Sequence, residues 1–560
     1  MARRACLQNA VQHDGQCQPK GLMGRIMGAH PEFRDDPGAV MKALMAAGAD
    51  VNAMGLDAQK QALAAEAPEL LEVKKKERNT GLKPLPGVEE GKVVLRFAPN
   101  PNGPLSFGHS RGVAVIAAYA DQHDGEVVLR FDDTDPQVKP PLYDPAAGVD
   151  AYRMIEEDYA WLTGRRPDRV VKASDRIDTY HEHARKLIEK GGAYVCTCDA
   201  EAWRDMKNQG HPCPHRDIAP ADLVAAFDQM VAGEFAQGAA VLRVKTDIEH
   251  RDPALRDWTA FRIVKADAIH PREAAGEIGH HVCWPLLDFE SAVEDHLQGV
   301  THIIRGKDLM DSTRKQQFLY DHMGWTYPKT LYWGRVKVHE FGKFSTSGMR
   351  QGVEAGTYEG WDDPRLPTLR ALRRRGFTAE ALRSFWKGLG LSEKDIAVSM
   401  ENVEAANKDV VDAGAPRFFF VPEPKTMSVS DLAGREAHPS IHASHPERGT
   451  RHLKATGTVH IPSADAAPQV RLKDLGNIVI AGGSAFWAGD ALDRSMPIIQ
   501  WLPGDHAAPL TVLRPDGESL RRVAGLVEPA ALEHIGEVVQ FERFGFVRLE
   551  SETTAVWLHE

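Results

Sequence analysis

A chain of 560 residues is several times longer than one hydrophobic core supports, so several domains are expected. Its apolar (42%) and charged (26%) fractions are those of a globular protein, and no apolar run approaches the roughly 18 residues of a membrane span, which excludes a transmembrane or membrane-surface reading. The formal charge of −11 argues against a uniformly basic nucleic-acid binder but leaves room for local patches such as Lys74-Lys75-Lys76 and Arg373-Arg374-Arg375.

The first twenty residues lack the apolar segment of a secretory signal, and six cysteines are too sparse for a disulfide framework; both point to the cytoplasm. Residues 1–90 read as an N-terminal helical region and linker. Pro37 to Lys76 has apolar residues three or four apart, and Pro84 and Pro86 mark the linker. Such a region could dock a protein partner or cap the fold. The texture changes at Lys92. Over 91–195 a strand Val93–Phe97, a Pro-rich loop, a helix His109–Ala120, a strand Glu126–Phe131, a helix Pro145–Leu162 and a third unit ending in Ala193-Tyr194-Val195 give a β-α rhythm. That rhythm predicts an α/β fold, a Rossmann-type doubly wound parallel sheet with ligands beyond the carboxyl ends of its strands. Residues 196–280 break the rhythm and read as an insertion. The sheet resumes over 281–360 with a strand near Gly299–Arg305, residues 361–414 are helical, and the short Val-, Ile- and Pro-rich segments of 415–560 predict β-barrels.

Two constellations carry chemistry by themselves. In the loop between the first strand and its helix, Asn102, Gly103 and Gly108 leave the backbone approachable, and His109 adds an imidazole to a helix N-terminus; this is a nucleotide-phosphate site. Cys196-x-Cys198, fourteen residues, then Cys213-x-His215 suits tetrahedral structural Zn2+, closed by four protein ligands and so without a catalytic water.

The whole string Arg96-Phe-Ala-Pro-Asn-Pro-Asn-Gly-Pro-Leu-Ser-Phe-Gly-His109 resembles the first signature of the class I aminoacyl-tRNA synthetases specific for glutamate and glutamine, and the later motifs resemble the archaeal glutamyl group. Gly108 and His109 match the second half of the family's ATP-binding His-Ile-Gly-His; Ser106 and Phe107 replace the first half, leaving one imidazole for the phosphates. Lys343-Phe344-Ser345-Thr346-Ser347 is a looser counterpart of Lys-Met-Ser-Lys-Ser. The resemblance implies catalytic roles for His109, Lys343, Ser345 and Ser347, with Lys343 or Arg350 supplying the cation that Thr346 and Gly348 do not. It assigns Asp132 to the substrate ammonium and Arg96 and Arg305 to its carboxylates, against the alternative of structural ion pairs. Arg305 favours glutamate, since glutamine would leave its guanidinium unpaired. Leu287 stands where bacterial relatives place a substrate-contacting tyrosine. Gly360 to Gly376 matches a stretch leading into a domain that contacts the tRNA stem, so Arg373, Arg374 and Arg375 become phosphate contacts. The same resemblance makes the insertion an acceptor-stem binder and the barrels anticodon readers.

The expected function is therefore ATP- and Mg2+-dependent attachment of L-glutamate to tRNA(Glu) through a glutamyl-adenylate, with tRNA(Gln) as a further acceptor left open. The rivals are a glutaminyl-tRNA synthetase and an inactive tRNA-binding paralogue. A dinucleotide-dependent oxidoreductase lacks its Gly-x-Gly-x-x-Gly.

Overall fold

The computed structural model describes the chain except residues 13–14, 20, 24–25, 27–32, 34–35, 68–80, 89–91, 265–266, 342–343 and 483. It forms two compact units, 1–80 and 81–560. In the first, helices α1 (Ala2–Gln12), α2 (Pro37–Asn52) and α3 (Leu56–Glu66) bury Leu7, Leu44, Val51 and Leu63 against one another. Asp36 caps α2 by accepting from the Ala39 N–H at 2.9 Å, with Pro37 in the first turn where its missing N–H is no loss. The Lys74-Lys75-Lys76 run lies outside the described residues.

The second unit begins with strand β1 (Val94–Phe97), helix α4 (Phe107–Gln122), strand β2 (Glu126–Phe131), helix α5 (Ala151–Thr163), strand β3 (Arg169–Lys172) and helix α6 (Ile177–Glu189). An insertion follows: β4 (Ala193–Cys196), α7 (Ala200–Gln209), α8 (Pro220–Val231), β5 (Val241–Val244), β6 (Thr259–Ile263) and β7 (Cys283–Pro285). The chain then adds α9 (Leu287–Leu297), β8 (His302–Gly306), α10 (Met310–Met323) and β9 (Lys329–Trp333). Five strands form one parallel sheet in the order β9-β8-β1-β2-β3. The strand order reverses between β1 and β8, which opens a crevice at their carboxyl ends, where Arg96 and Arg305 sit. Strand β1 is buried along its whole length, as an inner parallel strand with helices on both faces must be.

One expectation is corrected. Ala193-Tyr194-Val195 is not the next parallel strand; β4 pairs antiparallel with β5 in a separate sheet ordered β4-β5-β6-β7. An apolar run buried on both faces reads the same in either sheet, and only the partner, 45 to 51 residues away, decides. The insertion thus extends to Pro285.

Helices α11 (Thr346–Glu354), α12 (Leu369–Arg375), α13 (Ala379–Leu389) and α14 (Met400–Val411) precede two seven-stranded sheets. The first, built mainly from residues 424–487, starts on Ile498–Ile499 and ends on Leu502–Pro503; the second, built mainly from residues 508–559, starts on Arg417–Phe418 and ends on Phe420–Pro422. In each, one extended segment supplies both end strands, which brings the two ends of the sheet together as in a barrel. The expected pair of barrels is therefore present.

Candidate active site and metal-ligand cluster

The loop after β1 is held rigidly. Ser106 caps α4: its Oγ accepts from the His109 N–H at 3.3 Å, and its own N–H donates to His109 Nδ1 at 3.2 Å. Because Nδ1 accepts, the imidazole proton resides on Nε2, which remains a donor; burial holds the ring's pKa below its ordinary value, so it works as a neutral group. Ser106, standing where the family has its first histidine, is thus committed to the cap. Residues 105–107 are stitched to the start of α12 through Phe107 N–H to Pro367 O and Leu369 N–H to Leu105 O, both 2.8 Å. The Leu105 N–H also donates to Asp158, whose carboxyl burial pushes up to about 7 despite Arg370.

The two glycines of this loop differ. Gly108 is exposed and open, so its backbone is approachable. A side chain on Gly103 would meet the Trp361 ring at 2.9 Å and Thr346 Cγ2 at 3.0 Å. Gly103 therefore lets the second signature segment pack against the first. Asn102 is half-buried, and Asn100 ties the loop to β2 by donating to the Asp132 carbonyl at 3.0 Å. Lys343 lies outside the described residues. Ser345 caps α11, accepting from the Gly348 N–H at 3.1 Å, and Ser347 lies in the helix's first turn. Arg350, the alternative cation, pairs with Glu354 at 2.8 Å.

At the crevice, three arginines converge on one carboxylate that the sequence did not reveal. Asp295, on α9, receives Arg130 Nη1 at 2.7 Å and Arg96 Nε at 3.3 Å, with Arg305 Nη2 at 4.0 Å. All are buried. Burial pushes the Asp295 pKa up, but Arg96, Arg130 and Arg305 more than offset it and hold it below the ordinary range. Arg130 also binds Asp132 at 2.7 Å, and burial outweighs this in raising the Asp132 pKa. Glu290, fully buried with no hydrogen-bond partner among the described residues, is pushed well up by burial and by Asp132. Arg305 further donates to Gln316 Oε1 at 3.2 Å, while its Nε has no partner among the described residues.

Asp132 lines a cavity of about 600 Å³ between the carboxyl ends of β1 and β2 and the insertion. Arg96 and Arg305 do not line it; they lie buried around Asp295. The cavity carries Lys139, Lys207, Arg243 and Lys315 against Asp132, Asp135 and Asp288, four cations to three carboxylates. Burial, Lys315 and Arg243 together hold the Lys207 pKa below its usual value, a strain an anionic ligand relieves. Leu287 also faces this cavity.

The four Cys/His positions converge. Cys213 Sγ lies 3.4 Å from Cys198 Sγ and 3.6 Å from Cys196 Sγ, and His215 Nδ1 is 3.2 Å from Cys213 Sγ and 3.5 Å from Cys198 Sγ. A tetrahedral ion with bonds of roughly 2.3 Å to sulfur and 2.1 Å to nitrogen requires edges of about 3.6–3.8 Å, so the donor set fits one. Thr197 Oγ1 contacts the outer His215 Nε2 at 2.9 Å and orients the ring.

The arginine triplet is divided. Arg375 is buried, donates to the Leu558 carbonyl at 2.8 Å, and is brought down to about 10 by burial. Arg374 grips Glu550 at 2.7 and 3.1 Å. Only Arg373 is exposed. Packing of this short helix on a barrel turns Arg375 inward, which corrects the expectation of a phosphate contact there, whereas Arg373 and Arg374 line a surface cleft of about 290 Å³ with Arg370 and Arg548.

A Rossmann-type sheet with a capped imidazole loop at its switch point, followed by helices and two barrels, defines a nucleotide-activating enzyme with appended recognition domains. Residues 92–413 match the model of the tRNA synthetases class I (E and Q), catalytic domain, and residues 415–488 and 498–550 match two models of that group's anti-codon binding domain. The chain is 46% identical to a glutamate–tRNA ligase of Methanosarcina acetivorans over 97% of its own length and 95% of the relative's. It is 42% identical to that of Archaeoglobus fulgidus over 99% and 98%. A solved glutamate tRNA ligase of Elizabethkingia meningosepticum aligns at 19% identity and a TM-score of 0.40, covering 58% of this chain and 70% of that one. The chain belongs to the class I tRNA synthetases of the glutamate and glutamine group.

Proposed function

We infer that this protein is a glutamate–tRNA ligase: it activates L-glutamate with Mg·ATP and transfers the acyl group to tRNA(Glu) in the cytoplasm. The near full-length identity to glutamate–tRNA ligases carries the reading, and the arginines gathered at the switch point support it chemically. The neutral His109 donates its Nε2–H to a triphosphate oxygen. Gly108 admits the phosphates to the backbone at the start of α4. Asp132, on the cavity wall, holds the substrate ammonium, while Arg96 and Arg305, buried around Asp295 outside that wall, take the carboxylates once the cavity opens onto them, Arg305 through its unpartnered Nε. The glutamate carboxylate attacks the α-phosphorus, pyrophosphate leaves with Mg2+, and a ribose hydroxyl of the terminal adenosine then takes the acyl group. Positioning and charge stabilisation suffice, and no side-chain nucleophile is needed. In the second signature segment, Ser345 fixes the start of α11, and Lys343 neutralises charge as pyrophosphate departs.

The cationic cavity wall of Lys139, Lys207, Arg243 and Lys315 receives the phosphates of the tRNA end, with the insertion gripping the acceptor stem. Cys196, Cys198, Cys213 and His215 hold structural Zn2+, which ties β4 to the loop after α7. Arg373 contacts the stem, and the barrels read the anticodon. Transfer of labelled glutamate or glutamine onto tRNA(Glu) and tRNA(Gln) transcripts tests the reading. Glutamyl-tRNA without glutaminyl-tRNA is expected; glutaminyl-tRNA as the main product, or neither product with tRNA bound, overturns it.

A further inference from the structure

A second cluster of metal-ligating side chains lies on the first barrel. There, residues 436–440 and 450–454 run antiparallel: Glu436 pairs with Lys454, Ala437 with Leu453 and Ser440 with Thr450, and the Arg451 N–H donates to Pro439 O at 2.8 Å. This register sets His438 directly opposite His452. Burial alternates along both segments, with Ala437, Pro439, Arg451 and Leu453 inside and Glu436, His438, His452 and Lys454 outside, so period two gathers the polar set on one face. The two imidazoles stack with centroids 5.0 Å apart and planes 17° apart, and His452 Nε2 lies 3.1 Å from Glu436 Oε2. One donor atom from each of the three residues falls within 4.8 Å of the others.

We propose that Glu436, His438 and His452 form a surface site for a divalent first-row transition ion, Zn2+ above all, distinct from the Cys/His cluster. Two imidazoles and a carboxylate are donors of the right hardness for such ions, and exposed side chains reach bonding distance by small rotations; water fills the remaining positions. The ladder beneath fixes where the three side chains start, so little backbone freedom is lost on binding. Lys454 is the opposing influence, its Nζ 4.0 Å from Glu436 Oε1. The ion would fasten the base of the 438–452 segment. From that segment His442 contacts the Asp412 carbonyl at 2.8 Å, Arg448 donates to the Gly414 carbonyl at 3.1 Å, and Arg451 pairs with Glu528 and with Glu542, at 2.9 Å in the latter case, in the second barrel. The bound metal therefore braces the joint between the two barrels and the helical domain.

The test is calorimetric titration of Zn2+ alone into the full chain, first equilibrated with zinc and freed of excess so that the tighter thiolate cluster is filled. One further, weaker equivalent is expected. His438→Gln and His452→Gln each weaken it by at least ~10–100-fold, the loss that removal of even an outer partner brings. Lys454→Gln tightens it. All three side chains are exposed, and unchanged melting curves confirm that the variants fold. A wild-type chain that takes up no further equivalent, or a His438→Gln/His452→Gln variant that takes it up undiminished, overturns the proposal.

Discussion

Two buried polar clusters within one domain pair solve the same problem in opposite ways. Around Asp295, three guanidinium groups and the neighbouring carboxylates supply one another's counter-charge, with the Arg305 Nε donor left over among the described residues. Around Cys213, three thiols and an imidazole crowd to 3.2–3.6 Å, with the Arg243 guanidinium beside Cys196. The first set carries its own counter-charges; the second has the donors and spacing of a metal site. The difference follows from location. The arginines lie at the carboxyl ends of the sheet strands around Asp295, the carboxylate all three share, while the Cys/His set joins the end of β4 to the loop after α7.

Removing the shared anion breaks the first cluster most severely. Asp295→Asn leaves Arg96, Arg130 and Arg305 facing one another, and a loss of about 3–5 kcal/mol in unfolding free energy is expected in urea denaturation, with a matching collapse of glutamate charging.

His559 shows a third solution, burial in the neutral form. Burial lowers its pKa to about 4 from an ordinary 6.5, while Asn407 donates to its Nε2 at 3.3 Å. Below pH 6.5 the unfolded chain takes up a proton that the folded chain refuses until about pH 4. Stability present above pH 6.5 is therefore lost on acidification through that window, by about 3 kcal/mol in full. His559→Gln removes this slope, which chemical denaturation at pH 7, 5.5 and 4.5 reads out.

For the second cluster, Thr197→Val deletes the outer partner of His215, and zinc affinity measured against a chromophoric chelator falls by ~10–100-fold with the four ligands intact. The smallest effect is expected at Glu290. Burial and Asp132 push its carboxyl pKa well up and so disfavour the charged form that Glu290→Gln removes, and the substitution is expected to shift stability by less than about 1 kcal/mol; a loss as large as that of Asp295→Asn would mean that Glu290 is a working anion of the cluster.

The contrast also explains what the sequence disclosed. The Cys/His set was legible because its ligands lie within twenty residues and three soft donors beside a histidine have few other uses. Asp295 was not, because its two nearest partners, Arg130 and Arg96, are 165 and 199 residues away and an acidic residue on an amphipathic helix reads as solvated surface. The parallel sheet followed from β-α rhythm, whereas β4 was misassigned because periodicity does not specify a partner. The Arg373–Arg375 run looked like a surface patch, yet only packing of α12 on the second barrel determines that Arg375 faces inward. Ser106 was visible as a departure from a signature; its capping partnership with His109 required coordinates.

The most direct test of the substrate assignment is the steady-state charging of tRNA(Glu) by Arg305→Ala, with KM measured separately for glutamate and for ATP. If Arg305 holds a substrate carboxylate by a charge-assisted bond, KM for glutamate rises ~10–100-fold while KM for ATP stays within about threefold. An unchanged KM for glutamate, or an equal rise in both, would contradict the account and leave Arg305 as a structural partner of Asp295 alone.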